Sequence, residues 1–211
     1  MEILNREATR RSGAFLLAAN HISHFDPPLI GLACHRDIDW MAMAELFTHP
    51  LMRAFCHATG AFPTDRSRVD RTAVRTAMNR LRAGRCVGIF PEGGIRTGEA
   101  SLLHGARVKP GVASLAVMAE APVLPCVILG SDRLYQRRWW YPWNRVTIWI
   151  AFGKPVAARL QEGEDREAAR QRIEQTLSAE MVRLYERLQA RYGLGPDDLP
   201  HPAPARLERM F

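Results

Sequence analysis

AFLLAANHISHFDPPLI, residues 14–30, decides the reading of the fold. Its first part, Ala14 to Asn20, is a short apolar run of strand length, the pattern of a strand covered on both faces. His21 follows, and five residues later Asp26-Pro27-Pro28 has the form of a helix N-cap with proline in the first turn. That places a helix over Leu29 to Cys34. The loop between them lies at the C-terminal end of the strand, the edge at which α/β sheets bind ligands. On these residues alone it admits three readings. His21 and Asp26 are a general base with its orienting carboxylate, or half of a metal site, or merely a polar turn.

The alternation continues outward. DIDWMAM (37–43) reads as a second strand and LFTHPLMRAFCHATG (46–60) as a short helix ending at Gly60. Residues 68–83 form an amphipathic helix with Val74, Ala77, Met78 and Leu81 on its core face and Arg68, Arg71, Arg75 and Arg82 as a stripe beside it. RCVGIFPEGG (85–94) is a strand running into a glycine-rich turn, and Pro110 to Ala119 is a helix. APVLPCVILG (121–130) is another buried strand, and RVTIWIAFGKPV (145–156) alternates like an edge strand. Residues 163–191 make a long helix with Ile173, Leu177, Met181, Leu184 and Leu188 inward, stopped near Gly193. The fold class is α/β: one domain over 1–195, with a mostly parallel or mixed central sheet flanked by helices. Residues 196–211 form a proline-rich C-terminal arm.

Composition narrows the class. Hydrophobic residues make up 47% of 211 and charged residues 24%, the balance of a folded chain. The net charge is +7, and nearly all of the positive charge is arginine, since the only lysines are Lys109 and Lys154. Guanidinium groups suit bidentate recognition of phosphate, which keeps nucleic acid, anionic lipid and a phosphorylated small substrate in view. The four cysteines, Cys34, Cys56, Cys86 and Cys126, are widely spaced with no CxxC pair, as expected of reduced, buried thiols in a cytoplasmic protein. No signal peptide is evident in MEILNREATRR, and the longest apolar tract, Val112 to Gly130, is interrupted by Glu120, Pro122 and Pro125. Any membrane contact is therefore expected to be peripheral.

Three loops carry charged or glycine residues that packing does not need: NHISHFD (20–26), GAFPTDR (60–66) and FPEGGIR (90–96). Glycines let backbone N–H groups approach an anion, and an arginine beside them takes a phosphate. The order of these loops, followed by RVKPGVASLA (107–116) and VLPCVILG (123–130), resembles the glycerolipid, or lysophospholipid, acyltransferase family over residues 12–156. The first motif of that family, NHxSxxD, is matched by Asn20, His21, Ser23 and Asp26. The second is matched by Phe62, Asp65 and Arg66, the third (FPEGTRS) by Phe90, Pro91, Glu92 and Gly93, and the fourth by Pro125. One departure stands out. Gly94 and Ile95 follow the Glu-Gly pair, so Arg96 comes one place later than the family's arginine, and the acceptor head group is open to differ.

The resemblance implies a glycerol-3-phosphate acyltransferase-like fold and a reaction. His21 would take a proton from an acceptor hydroxyl, with Asp26 orienting its ring. The oxygen would attack the thioester of acyl-CoA or an acyl carrier protein. The acceptor would be a lysophospholipid such as 1-acyl-sn-glycerol-3-phosphate, in phospholipid biosynthesis, or a different hydroxyl or amine. Asn20, Ser23, Asp65, Arg66, Glu92, Gly93, Gly94, Arg96 and Lys109 would bind substrate. No metal or other cofactor is called for, and no GxSxG elbow is present for a covalent route. His24 completes a His-x2-His-x-Asp pattern, but no third or fourth metal ligand with suitable context appears, and it reads as a loop residue. RRWWYPW (137–143) puts aromatics beside arginines, as at a membrane interface, although core packing explains the tryptophans as well. Two other classes compete: a basic nucleic-acid-binding protein, against which no helix-turn-helix, zinc-finger or RNP motif is visible, and a catalytically silent lipid-binding protein on the same fold. The family's N-terminal membrane-anchoring helices are not evident, so the expected location is the cytoplasm, with association at the inner face of the membrane.

Overall fold

A computed structural model describes residues 1–65, 70–135, 143 and 145–200. Seven strands form one sheet: β1 (Glu2–Leu4), β2 (Phe15–Ala19), β3 (Ile38–Met43), β4 (Phe62–Thr64), β5 (Cys86–Ile89), β6 (Val123–Leu129) and β7 (Trp149–Phe152). Their order is β1-β7-β6-β2-β5-β3-β4. The five strands from β6 to β4 run parallel, whereas β7 is antiparallel to β6 and β1 parallel to β7. The sheet is thus mixed, with β2 at its centre.

Among the described residues five α-helices accompany it: α1 (Asp26–Ala33), α2 (Pro50–Ala58), α3 (Arg71–Arg82), α4 (Pro110–Ala119) and α5 (Arg166–Tyr192). Alternate residues of β2 serve two cores. Leu16 and Ala18 pack with α3, α4 and α5 on one face; Phe15, Leu17 and Ala19 pack with Ile30 and Ala33 of α1 on the other. This two-sided burial is why β2 and β6 are apolar at every position rather than alternating. The five apolar positions expected inward on α5 are all buried, and Gly193, at φ +60°, ends the helix in the left-handed conformation that suits glycine.

Several boundaries differ from the sequence reading, each for a local reason. β7 is not an edge strand, because β1 pairs outside it. β1 escaped notice as three residues, Glu2–Leu4, in a charged segment. The helix expected over 46–60 is split. Pro50 holds His49 extended (ψ 129°), so a 3-10 turn over Ala44–Phe47 ends and α2 restarts with the proline in its first turn. Phe25, not Asp26, is the N-cap of α1, since the Asp26 carboxylate folds back toward the preceding loop. On α3, Asp70 is the cap, accepting from the N–H groups of Thr72 and Ala73. The arm begins as a 3-10 turn over Pro196–Asp198, tied down by Asp198 to Arg133 at 2.7 Å. Among the described residues no helix is long and apolar enough to cross a membrane.

Candidate active site

The site begins where β2 stops. Asn20 is fully buried, and its side chain pairs with both backbone groups of Ile128: Nδ2 donates to the carbonyl at 3.0 Å and Oδ1 accepts from the N–H at 2.8 Å. The amide replaces one more rung of the β2–β6 ladder. The main chain is then released to turn away at His21.

His21 is held from four directions. Its N–H donates to Glu92 Oε2 at 2.6 Å, and its carbonyl accepts from the Arg96 N–H at 2.8 Å. Its ring stacks on Phe90 with centroids 4.0 Å apart, and Phe90 in turn stacks on Trp40 at 4.7 Å. Its Nδ1 lies 2.8 Å from Asp26 Oδ2. With the carboxylate as acceptor, Nδ1 carries the hydrogen and the Nε2 lone pair is left available. No described residue hydrogen-bonds Nε2.

Asp26 is fully buried and well supplied with donors. Oδ2 also accepts from the N–H groups of Ile22 and Ser23, both at 2.8 Å, and Oδ1 accepts from the Ser131 hydroxyl at 2.5 Å. Ser23 shapes the loop further, its Oγ accepting from the Phe25 N–H at 3.1 Å. His24 lies apart from this pair. It is exposed, and its Nδ1 is 2.5 Å from the Tyr135 hydroxyl.

Glu92, expected beside an acceptor phosphate, turns inward instead. While Oε2 holds the His21 N–H, Oε1 accepts from the Ser101 hydroxyl and the Leu102 N–H, both at 2.8 Å. Burial pushes its pKa up to about 7, against the pull of these three donors. The carboxylate ties the loop after β5 to the loop after β2.

The cations lie on the outer side of the same turn. Gly93 adopts φ +71°, and a Cβ there would run into the Lys109 ammonium, whose backbone N–H donates to Pro91 at 3.0 Å. A Cβ on Gly94 would come within 3.6 Å of the Arg96 guanidinium. Lys109 and Arg96 are both exposed, so a glycine turn is flanked by two cations next to His21. That is the composition of an anion-binding turn. Asp65 sits at the end of β4, three strands from β2 and so roughly 14 Å away across the sheet; its N–H donates to Asp70 Oδ2 at 2.9 Å. The structure does not bring it to the His21–Asp26 pair. Arg66 and residues 137–142 lie outside the described residues.

The sequence reading missed Ser131, Trp40 and Ser101. Ser131 was within reach of the same rule that found His21, because it follows Gly130 directly at the C-terminal end of β6.

Comparison with known proteins gives the family of the chain. Residues 1–129 match the family model described as Acyltransferase. The 1-acyl-sn-glycerol-3-phosphate acyltransferase of Bacillus subtilis (strain 168) is 30% identical over 133 residues, 63% of this chain and 64% of that protein. The protein of the same name from Streptococcus pneumoniae is 30% identical over 144 residues, 67% of this chain and 50% of that one. The chain thus spans about half to under two thirds of these relatives. In fold, it is similar to the 1-acyl-sn-glycerophosphate acyltransferase PlsC from Thermotoga maritima, with a TM-score of 0.60 at 23% identity over 90% of this chain and 73% of the other. With more than half its length matched by the family model, the chain belongs to the acyltransferase family.

Proposed function

We propose that the protein transfers a fatty acyl group from acyl-CoA or an acyl carrier protein to the hydroxyl of a lysophospholipid such as 1-acyl-sn-glycerol-3-phosphate, a step of phospholipid biosynthesis. The observation that carries this reading is the His21–Asp26 pair, with Nδ1 engaged and Nε2 available at the C-terminal edge of the sheet. In the reaction, Nε2 takes the acceptor's hydroxyl proton as the oxygen attacks the thioester carbonyl. The imidazolium is stabilised by Asp26. As the tetrahedral intermediate collapses, the C–S bond breaks, and the departing thiolate takes the proton back from Nε2. His21 ends as it began, and the scheme calls on no metal or prosthetic group.

Lys109 and Arg96 beside the Gly93–Gly94 turn support an anionic head group on the acceptor. The names of the bacterial relatives support 1-acyl-sn-glycerol-3-phosphate in particular. The enzyme would work in the cytoplasm, at the inner face of the membrane where such acceptors lie.

The test is thiol release from acyl-CoA with a panel of lysophospholipids. Acceptor-dependent release is expected, and His21→Ala should lower kcat about a hundred- to ten-thousand-fold, the range that general base catalysis contributes. A variant within a few-fold of wild type would remove His21 from the mechanism. Salt-sensitive retention of oligonucleotides without thiol release would favour a nucleic-acid-binding protein instead.

A further inference from the structure

The loop that carries His21 and Asp26 leans on one residue from outside it. Of the five N–H groups from Ile22 to Asp26, four are satisfied by the loop's own atoms. Those of Ile22 and Ser23 donate to Asp26 Oδ2, that of Phe25 to Ser23 Oγ, and that of Asp26 to the Ser23 carbonyl at 3.1 Å. The fifth, that of His24, donates to the Tyr135 hydroxyl at 2.8 Å.

Tyr135 is held in place for this contact. It ends the 3-10 turn Ser131–Tyr135 that follows β6, and because β6 runs parallel to β2 the turn stands at the same edge of the sheet as His21. Ser131, at the start of the turn, bonds Asp26, while Tyr135, at its end, bonds the His24 main chain. One short turn thus grips the loop at two points. The turn is itself fastened: Arg133 pairs with Asp198 at 2.7 Å, and its guanidinium lies 5.8 Å from the centre of the Trp149 ring in β7. The Tyr135 ring is half-buried and packs on Phe25 with centroids 5.7 Å apart. Phenylalanine would serve that packing equally well, so the hydroxyl calls for a separate reason. Burial pushes the pKa of the phenol up from its ordinary 10, so the hydroxyl keeps its proton. It accepts from the His24 N–H and can donate to His24 Nδ1, 2.5 Å away.

We propose that Tyr135, which lies outside all four sequence motifs, is a positioning residue for the transfer reaction. Its hydroxyl, by holding the His24 N–H, keeps the loop in the form that aims Asp26 at His21. The proposal rests on the reading of His21 as the general base. Ile22 and Ser23 donate to the same Asp26 oxygen that faces His21 Nδ1, and they directly precede His24. Freeing the His24 main chain therefore loosens those two bonds and lets the carboxylate turn from the imidazole.

The test is Tyr135→Phe, which removes the hydroxyl and keeps the ring on Phe25. With acyl-CoA and a lysophospholipid as substrates, kcat should fall about fivefold, the equivalent of one ordinary hydrogen bond. Both KM values should stay as in wild type. His24→Ala deletes the imidazole and keeps the N–H, so its kcat should stay within about twofold of wild type. Amide hydrogen exchange, followed by nuclear magnetic resonance, reads the loop without any substrate. In Tyr135→Phe the amides of Ile22 and Ser23 should exchange faster along with that of His24, whereas a purely local bond would free His24 alone. Wild-type kcat in Tyr135→Phe, a loss confined to KM, or unchanged exchange at Ile22 and Ser23 overturns the proposal. So does a His24→Ala variant that loses kcat as far as Tyr135→Phe does, because the imidazole and not the main chain would then be what Tyr135 holds. If the wild-type protein transfers no acyl group to any lysophospholipid, faster exchange at Ile22 and Ser23 still upholds Tyr135 as the anchor of the loop, and only the proposed activity falls.

Discussion

Asp26 is the most fully engaged side chain of the site. Four donors converge on its two oxygens, three of them on the oxygen that faces His21. Among the described residues Ser131 alone hydrogen-bonds the other. Ser131→Ala leaves that buried oxygen without its partner, which should lower stability by about 1.5–3 kcal/mol. Because the ring of His21 is aimed through Asp26, kcat should fall about tenfold, equivalent to about 1.4 kcal/mol at the transition state, with little change in KM. Steady-state kinetics checks this; a loss confined to KM would place Ser131 in substrate binding instead. Glu92 yields a prediction on pH. Its folded pKa, about 7, lies above the ordinary 4.5, so the native state holds this proton more tightly than the unfolded chain does. Stability from this group is therefore fully present below about pH 4.5 and is lost as pH rises to about 7, by about 3 kcal/mol in all. In urea melts at about pH 5 and about pH 8, Glu92→Gln should show a flatter difference than wild type; an unchanged slope would refute the assignment. His21 and Asp26 were legible in the sequence through their match to the NHxSxxD motif, since the loop alone also admitted half a metal site or a polar turn. The inward turn of Glu92 was not, since residue type says nothing about which way a carboxylate faces.

At the level of elements, the stack of Trp40, Phe90 and His21 joins three strands through side chains alone, and Gly88 makes room for it. A Cβ on Gly88 would lie 2.5 Å from the Trp40 ring and 2.7 Å from Ile38, both rigid and buried. Gly88→Ala should cost about 1–3 kcal/mol by overpacking and should lower kcat as well, by pushing the aromatic stack toward the imidazole. Thermal melts and turnover measured together check this; a loss of stability with wild-type kcat would uncouple the stack from the site. Long, strongly patterned elements were readable in advance. α4 occupies the ten residues expected of it, Pro110–Ala119, and α5 departs by only a few at its start. Elements of three residues were not readable. β1 and β4 lie below the length at which periodicity exists, β4 contains Pro63, and both owe their pairing to strands already in place.

For the whole molecule, burial sets the chemistry of the thiols. All four cysteines are free and buried, and burial pushes Cys34 up to about 12 and Cys86 up to about 11. Ellman's reagent should find almost no thiolate in the native protein and four equivalents after denaturation in guanidinium, which keeps a thiol-release assay free of enzyme background. Prompt reaction of two or more equivalents in the native state would contradict the buried arrangement. The mixed sheet carries one more consequence, in time. β1 pairs with β7, and Asn5 Nδ2 donates to the Phe152 carbonyl 147 positions later in the chain. At a synthesis rate of about 5–20 residues per second, the first strand leaves the ribosome roughly 7–30 s before its partner. β1 is thus made well before the strand it pairs with, and until β7 is seated on β6 it has no sheet edge to join.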